Sequence, residues 1–315
     1  MKFIRGIHNL NYQEKGCVLT IGNFDGVHYG HKILLSHLFF EGKKRNLPVI
    51  VMIFEPQPLE FFLKKAPYRL TNLKDKLNYL FQLNIDIVLC VSFNQKFSKM
   101  SAEDFIFYLL VKKLNIKLLI IGDDFRFGKD RKGNFFLLKI FGKKYGFEVI
   151  STKTFCKYGQ RISSTFIRQA LYENNFLLVK KLLGRNFSIS GRIIYGDSIG
   201  KKIGFPTANL YSYYNVLPIK GVYIVQVLGI KKDPILGVAN IGTRPTLNGK
   251  KKRIEIHLID FCMNIYGYYV QIVLIKKIRE EIKFCSLSEL KNQIKKDILF
   301  TKNFFIQKKN NRYNI

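Results

Sequence analysis

The sequence predicts two domains: an α/β half built on a parallel sheet, then an antiparallel β-barrel with one closing helix. Three observations carry this expectation. A chain of 315 residues is long for a single hydrophobic core. Up to about residue 185, short apolar strands alternate with helical stretches, which is the grammar of a parallel sheet with crossover helices. Past "LLGRNFSISG" at 182–191, alternating strands dominate, separated by Gly, Pro or Asn. The boundary is placed there, giving domains 1–185 and 186–315.

In the first half, "CVLTIG" (17–22) is a strand followed by a helix from His31, and "PVIVMIF" (48–54) is the next strand. A turn-rich "EPQP" leads to a helix over 72–83 and the strand "DIVLCVSF" (86–93). "AEDFIFYLLVKKL" (102–114) is an amphipathic helix, "KLLIIG" (117–122) a strand, and "FFLLKIFGKKYG" (135–146) a helix before "FEVIS". In the second half "ISGRIIYG", "GVYIVQVL", "PILGVANIG", "RIEIHLIDF" and "YYVQIVLIKKI" are strands of a closed barrel. The helix "SLSELKNQIKKDILF" (286–300) opens with Ser286 and Glu289 at the spacing of a capping box.

Composition narrows the class. Hydrophobic residues make up 47% of the chain, enough for globular folding. No apolar run has the length of a membrane span and the N-terminus shows no secretory signal, so a cytoplasmic protein is expected. Five scattered cysteines without a C-x-x-C pair argue against a disulfide framework or a structural zinc site. Net charge is +31, from 53 Lys and Arg against 22 Asp and Glu. Such a balance can serve nucleic-acid binding. Here, however, lysine is spread through nearly every segment, and Asn, Ile, Phe and Tyr are plentiful while Trp is absent, a profile that AT-rich codons would produce. No specific nucleic-acid partner is expected; attraction of anionic small molecules follows from the charge.

"IGNFDGVHYGHK" sits where the first strand ends and a helix begins. Gly22, Gly26 and Gly30 allow tight turning, and the helix start offers free N–H groups to a phosphate. His28 and His31 can face one pocket there as neutral or weakly charged hydrogen-bond donors. A zinc site would need further ligands that the sequence does not supply. A second segment, "RISSTFIRQAL" (161–171), places Ser163, Ser164 and Thr165 at another helix start, with Arg168 one turn in. These can take phosphate oxygens, or simply cap the helix. Asn23, Phe24 and Asp25 in the first loop are further nucleotide candidates, and Asp124 and Phe125 in "GDDF" are candidates for nucleotide or flavin.

"GRIIYGDSIGKKIGFPTANL" (191–210) is neither a Walker loop nor a dinucleotide fingerprint, because the glycine spacing is wrong for both. Thr207 and Asn209 alternate with Ala208, so on an extended chain they share a face. Their hydroxyl and amide oxygens are hard donors suited to Mg²⁺. Downstream, Glu255 and His257 alternate with apolar residues in "RIEIHLIDF".

"IGNFDGVHYGHK", "FEPQP", "GDDFRFGKDRKGN" and "RISSTFIR" in this order resemble the FMN adenylyltransferase module of bacterial FAD synthetases, a Rossmann-like nucleotidylyltransferase domain. "GFPTAN", the downstream E-x-H, "GVANIGTRPT" and "IREEIKF" resemble riboflavin kinase. Together they cover nearly the whole chain and look like a bifunctional riboflavin kinase/FAD synthetase. The resemblance implies that His28, His31, Gly22, Asn23, Ser163, Ser164, Thr165 and Arg168 hold ATP for adenylyl transfer. It implies that Gly200, Lys202, Gly204, Thr207 and Asn209 hold Mg-ATP for the kinase, with Thr207 as first and Asn209 as second choice of Mg²⁺ ligand, and that Glu255 is the base. Riboflavin, FMN, FAD and ATP would be substrates and products of a monomer or weak oligomer. Two departures stand out: Lys201 where the family usually has Arg, and Asn264 where an acidic residue is common. The alternatives are an adenylyltransferase with another acceptor, which leaves "GFPTAN" unused, and a basic nucleic-acid binder.

Overall fold

The computed structural model describes residues 2–152, 156–157, 160–196, 200, 203–211, 219–246 and 249–310. Its contacts fall into two compact units, Met1–Phe166 and Ile167–Ile315.

The first unit is a six-stranded sheet of β1 (Lys2–Arg5), β2 (Cys17–Ile21), β3 (Val49–Glu55), β4 (Ile87–Ser92), β5 (Ile116–Gly122) and β6 (Glu148–Thr152). The order is β1-β4-β3-β2-β5-β6 with every neighbour parallel. These strands read as unbroken apolar runs because both faces are covered. Leu19, Ile50, Met52, Leu89 and Leu119 pack on one face with Ile106 and Leu110. Val18, Val51, Ile53, Val88 and Leu118 pack on the other with Leu35, Leu38 and Leu80. Strand β1, beside β4, has no signal in the sequence: four residues with three exposed carry no alternation to read. The helix expected from His31 starts earlier, at Tyr29, because the His28 side chain caps it. The stretch expected as one amphipathic helix over 102–114 is a short α turn running into π-helical Phe105–Lys113. A small hairpin, β7 (Cys156–Lys157) and β8 (Gln160–Arg161), lies near the end of the unit.

The sequence order turns at β2. Strands β3 and β4 extend the sheet to one side of it, and β5 and β6 to the other. In open α/β sheets the crevice at such a reversal, outside the strands' carboxyl ends, is where ligands bind. Both "GNFDGVHYGH" and "GDDF" begin at those ends, after β2 and β5.

The second unit opens with two helices, Ser164–Tyr172 (begun in the first unit) and Phe176–Leu183. Then β9 (Ser188–Ile194), β10 (Ala208–Tyr211), β11 (Gly221–Leu228), β12 (Ile235–Thr246), β13 (Gly249–Leu258) and β14 (Tyr269–Arg279) close a barrel in the order β10-β13-β12-β11-β14-β9. Every pairing is antiparallel. One face of these strands is apolar and buried, with Leu210, Tyr223, Val225, Ala239, Ile241, Ile254 and Ile256, and fills a small barrel. The "PTAN" segment supplies β10, the sixth strand, beside the five named from alternation.

The closing helix runs Leu287–Asn310, ten residues past the expected end. Ser286 Oγ accepts from the Glu289 N–H at 3.2 Å, and Glu289 accepts from the Cys285 N–H at 3.1 Å, so the box closes one residue earlier than the motif implies. Arg279 of β14 grips the buried Asp297 of this helix through Nε and Nη2, the latter at 2.8 Å, which ties helix to barrel.

Candidate active sites

The first site is shaped by three left-handed residues in four: Phe24 (φ 46°), Gly26 (φ 82°) and Val27 (φ 39°). Such backbone is costly for Phe and Val, so something must hold it. Asp25 does much of this. Buried, its carboxylate accepts from the Leu70 N–H at 3.0 Å and the Thr71 N–H at 3.2 Å, while Thr71 Oγ1 accepts from the Gly26 N–H at 3.0 Å. Lys76 adds to it. It is fully buried and donates from Nζ to the Asn23 carbonyl at 2.6 Å. Burial lowers its pKa, and the neighbouring Asp25 works against that shift. Phe24 is buried behind His31, with ring centroids 4.9 Å apart. Phe24 and Asp25 thus lie beneath the loop and set its shape.

His28 is the N-cap of the Tyr29–Arg45 helix: its Nδ1 accepts from the His31 N–H at 3.3 Å. Nδ1 is therefore unprotonated, and a neutral His28 carries its proton on Nε2. The His31 ring stacks on it at 3.6 Å and 15°. Burial holds His31 well below the usual imidazole pKa, with His28 and Lys76 pushing the same way, so His31 is neutral at pH 7. Its Nδ1 is buried with no hydrogen-bond partner among the described residues. Gly30 lies so close to the His28 ring that a Cβ would stand 3.3 Å from Nδ1.

Ser163 caps the later helix, accepting from the Phe166 N–H at 3.1 Å. Ser164 donates its hydroxyl to the Asp25 carbonyl at 2.9 Å, which ties that helix start to the histidine loop. Thr165 is exposed, and Arg168 lies one turn further on. Two helix N-termini and two imidazoles therefore converge, and the Asp25 carboxylate beneath them is engaged by the Leu70 and Thr71 N–H groups. An anion fits there. Asp124 is exposed and accepts from Arg161 at 2.7 Å, and Phe125 stacks against Phe127 in the core.

The second site lies on the opposite face of the barrel strands, where polar residues stand among Val222 and Val238. Cross-strand register sets Asn209 of β10, Glu255 of β13 and Asn240 of β12 side by side. His257, two residues along from Glu255, donates from Nδ1 to the Pro206 carbonyl at 2.9 Å and so holds the residue before Thr207. The glycine loop closes on itself, with the Phe205 N–H donating to the Gly200 carbonyl at 2.8 Å. Gly204 takes φ 86°, which favours glycine. Gly196 lies directly against the Asn209 amide and Gly200 against Thr207, leaving no room for a side chain at either. Lys201 and Lys202 lie outside the described residues.

Two cavities meet at Thr207. One, of 330 Å³, contains Glu255, Asn240 and His257, with apolar Val222, Phe284 and Leu290 around them. The other, of 310 Å³, contains Pro206, Ile256, Phe261, Met263 and Tyr266. Asn264 lines the latter, and its Oδ1 accepts from the Tyr266 N–H at 3.1 Å. The turn that an acidic residue would cap in this way is thus kept without its charge.

A family model described as FAD synthetase matches residues 10–166, and one described as riboflavin kinase matches 183–305. The bifunctional riboflavin kinase/FMN adenylyltransferase of Escherichia coli K12 is 56% identical over 307 residues, 97% of this chain and 98% of that one. The chain belongs to the bifunctional riboflavin kinase/FMN adenylyltransferase family. Its counterpart in Haemophilus influenzae is 48% identical over 97% of this chain and 99% of that one. A crystal structure from Streptococcus pneumoniae, described as a macrolide-efflux protein, superposes with a TM-score of 0.83 at 29% identity, covering 96% of this chain and 99% of that one. Among the described residues of the present family member, no helix is long and apolar enough to cross a membrane.

Sequence reasoning missed Lys76, Thr71 and Asn240. One lysine among many gives no sign of being the buried one. Asn240 did leave a trace, as a lone amide inside the apolar strand "PILGVANIG".

Proposed function

We propose that the two activities of this family are divided between the two sites described above. The barrel phosphorylates riboflavin to FMN, and the α/β unit then adenylylates FMN to FAD with release of pyrophosphate. The observation that carries this division is Thr207, shared by two cavities of which only one contains Glu255. Riboflavin takes the Glu255 cavity and ATP the other, so the γ-phosphoryl group and the 5′-hydroxyl meet near Thr207. Glu255 accepts the hydroxyl proton as the new O–P bond forms and ADP departs.

At the other site a phosphate oxygen of FMN attacks the α-phosphorus of ATP. That oxygen is already ionised, so the chain need only position the two nucleotides and stabilise the charge that develops. His28, His31 and the two helix starts supply donors for this, with Arg168 as a further cation. Ser163 and Ser164 support the helix start, and Phe24 and Asp25 hold the loop. Gly22 and Asn23 belong to the same ATP site, and Asp124 and Phe125 border it.

Thr207 and Asn209 offer two neutral oxygen donors, and among the described residues no group of three His, Cys, Asp or Glu could hold a metal ion. These donors would hold Mg²⁺ brought in with ATP, and the ion would there neutralise phosphate charge. The enzyme acts in the cytoplasm on small molecules, as a monomer or weak oligomer, without a specific nucleic-acid partner. Incubation with riboflavin, ATP and Mg²⁺, followed by chromatography, should yield FMN and then FAD. A chain that makes FAD from FMN but never FMN from riboflavin would overturn the kinase assignment.

The proposed functional division, 1–185 and 186–315, differs from the packing division at Phe166/Ile167, and the difference is testable. Tyr223 is fully buried, its hydroxyl 2.9 Å from Asn174 Oδ1 and its ring edge-on to Phe176 at 5.8 Å. A fragment of residues 186–315 keeps the whole barrel and should phosphorylate riboflavin. Without Asn174 and Phe176 it loses about 1–3 kcal/mol relative to residues 167–315. Thermal unfolding should place its midpoint several degrees lower. Equal midpoints would mean that the two helices add nothing to the barrel.

A further inference from the structure

We propose that Asn240 positions riboflavin for phosphorylation by accepting a hydrogen bond from the ribityl 4′-hydroxyl; this rests on the Glu255 cavity being the riboflavin site. Asn240 Oδ1 is buried, lines that cavity, and has no hydrogen-bond partner among the described residues. A buried amide oxygen without a donor costs roughly 1–3 kcal/mol, so its retention inside an apolar strand calls for a ligand donor.

The register identifies the donor. Asn240 stands directly opposite Glu255 across β12 and β13, which sets their Cβ atoms about 5 Å apart. On the other side of Glu255 stands Asn209, next to the glycine loop. The row therefore runs from the phosphate side, through the base, to the flavin side, and Asn240 occupies the last place. A group held by Asn240 lies within a few bonds of the hydroxyl held by Glu255. In riboflavin the O–H donor meeting that condition is the 4′-hydroxyl, vicinal to the reacting 5′-hydroxyl. Anchoring it fixes the rotation of the terminal C–C bond and aims the nucleophile. Asn240 is thus a positioning residue, and no proton transfer passes through it.

The test uses the full chain, with riboflavin and 4′-deoxyriboflavin as kinase substrates. For Asn240→Ala, kcat/KM for riboflavin should fall about tenfold, the strength of one neutral hydrogen bond. KM for ATP and the formation of FAD from FMN should not change. In the native chain 4′-deoxyriboflavin should be penalised by a similar factor, and in Asn240→Ala that penalty should vanish. A merely structural role would leave it in place. Asn240→Leu, close to asparagine in size and without an acceptor, provides the same comparison if the alanine variant does not fold. An unchanged kcat/KM for riboflavin, or an equal penalty in native and variant chains, overturns the proposal. Glu255→Gln run alongside separates the two levels: activity lost there but intact in Asn240→Ala removes Asn240 alone, whereas native activity in both removes the site assignment as well.

Discussion

Glu255→Gln stops FMN formation from riboflavin while FAD formation from supplied FMN continues. The kinase rate should fall about 10²–10⁴-fold, the usual loss on removing a general base. Glutamine matches glutamate in shape, and the groups opposite it in the register are the neutral amides of Asn209 and Asn240. The variant can therefore fold with its hydrogen-bonding surroundings intact, and what it loses is the capacity to take a proton. His257 lines the same cavity, but its Nδ1–H is committed to the Pro206 carbonyl. Initial rates of both half-reactions, measured on one preparation, decide the matter. A folded variant that makes FMN at the native rate removes Glu255 from the role of base.

The parts of this architecture that could be read in the sequence are those whose physics is local. Apolar runs such as "PVIVMIF", covered on both faces, and the alternation of "RIEIHLIDF" gave strands close to those found, because burial imposes its period on composition. The glycine turn with His28 and His31, and the "PTAN" run, stood out since they break that pattern. What stayed hidden depends on contacts far apart in the chain. Asp25 looks like a ligand-facing loop residue until Leu70 and Thr71 are seen to occupy it. Lys76 looks solvated until its Nζ is found on the Asn23 carbonyl. The two helices between Ser164 and Leu183 read as the tail of the α/β half, because nothing in their own residues announces Tyr223 as a partner.

His28→Asn and His31→Ala should each cripple FAD synthesis from FMN and spare the kinase. The choice of asparagine at position 28 matters. His28 caps the helix through Nδ1, and asparagine is among the best N-cap residues, so His28→Asn keeps an acceptor for the His31 N–H while removing the Nε2–H donor. Alanine there would also cost about 1 kcal/mol of capping and confuse the two effects. Loss of one donor to the transition-state charge typically lowers kcat about 10²–10³-fold, and either variant should show a loss of that order, with KM for riboflavin unchanged at the other site. His31 adds a dependence on pH. Buried and held neutral, it resists protonation in the folded chain, whereas the unfolded imidazole takes a proton near pH 6.5. The folded state then binds fewer protons, so this unit loses stability as pH falls through about 6.5, and His31→Ala should flatten that loss. Urea unfolding at pH 7.5 and pH 5.5, followed for native and His31→Ala chains, measures the difference directly. Native FAD synthesis in both variants, or full recovery of activity on adding zinc to His28→Asn, would return the pair to a structural or metal-binding role.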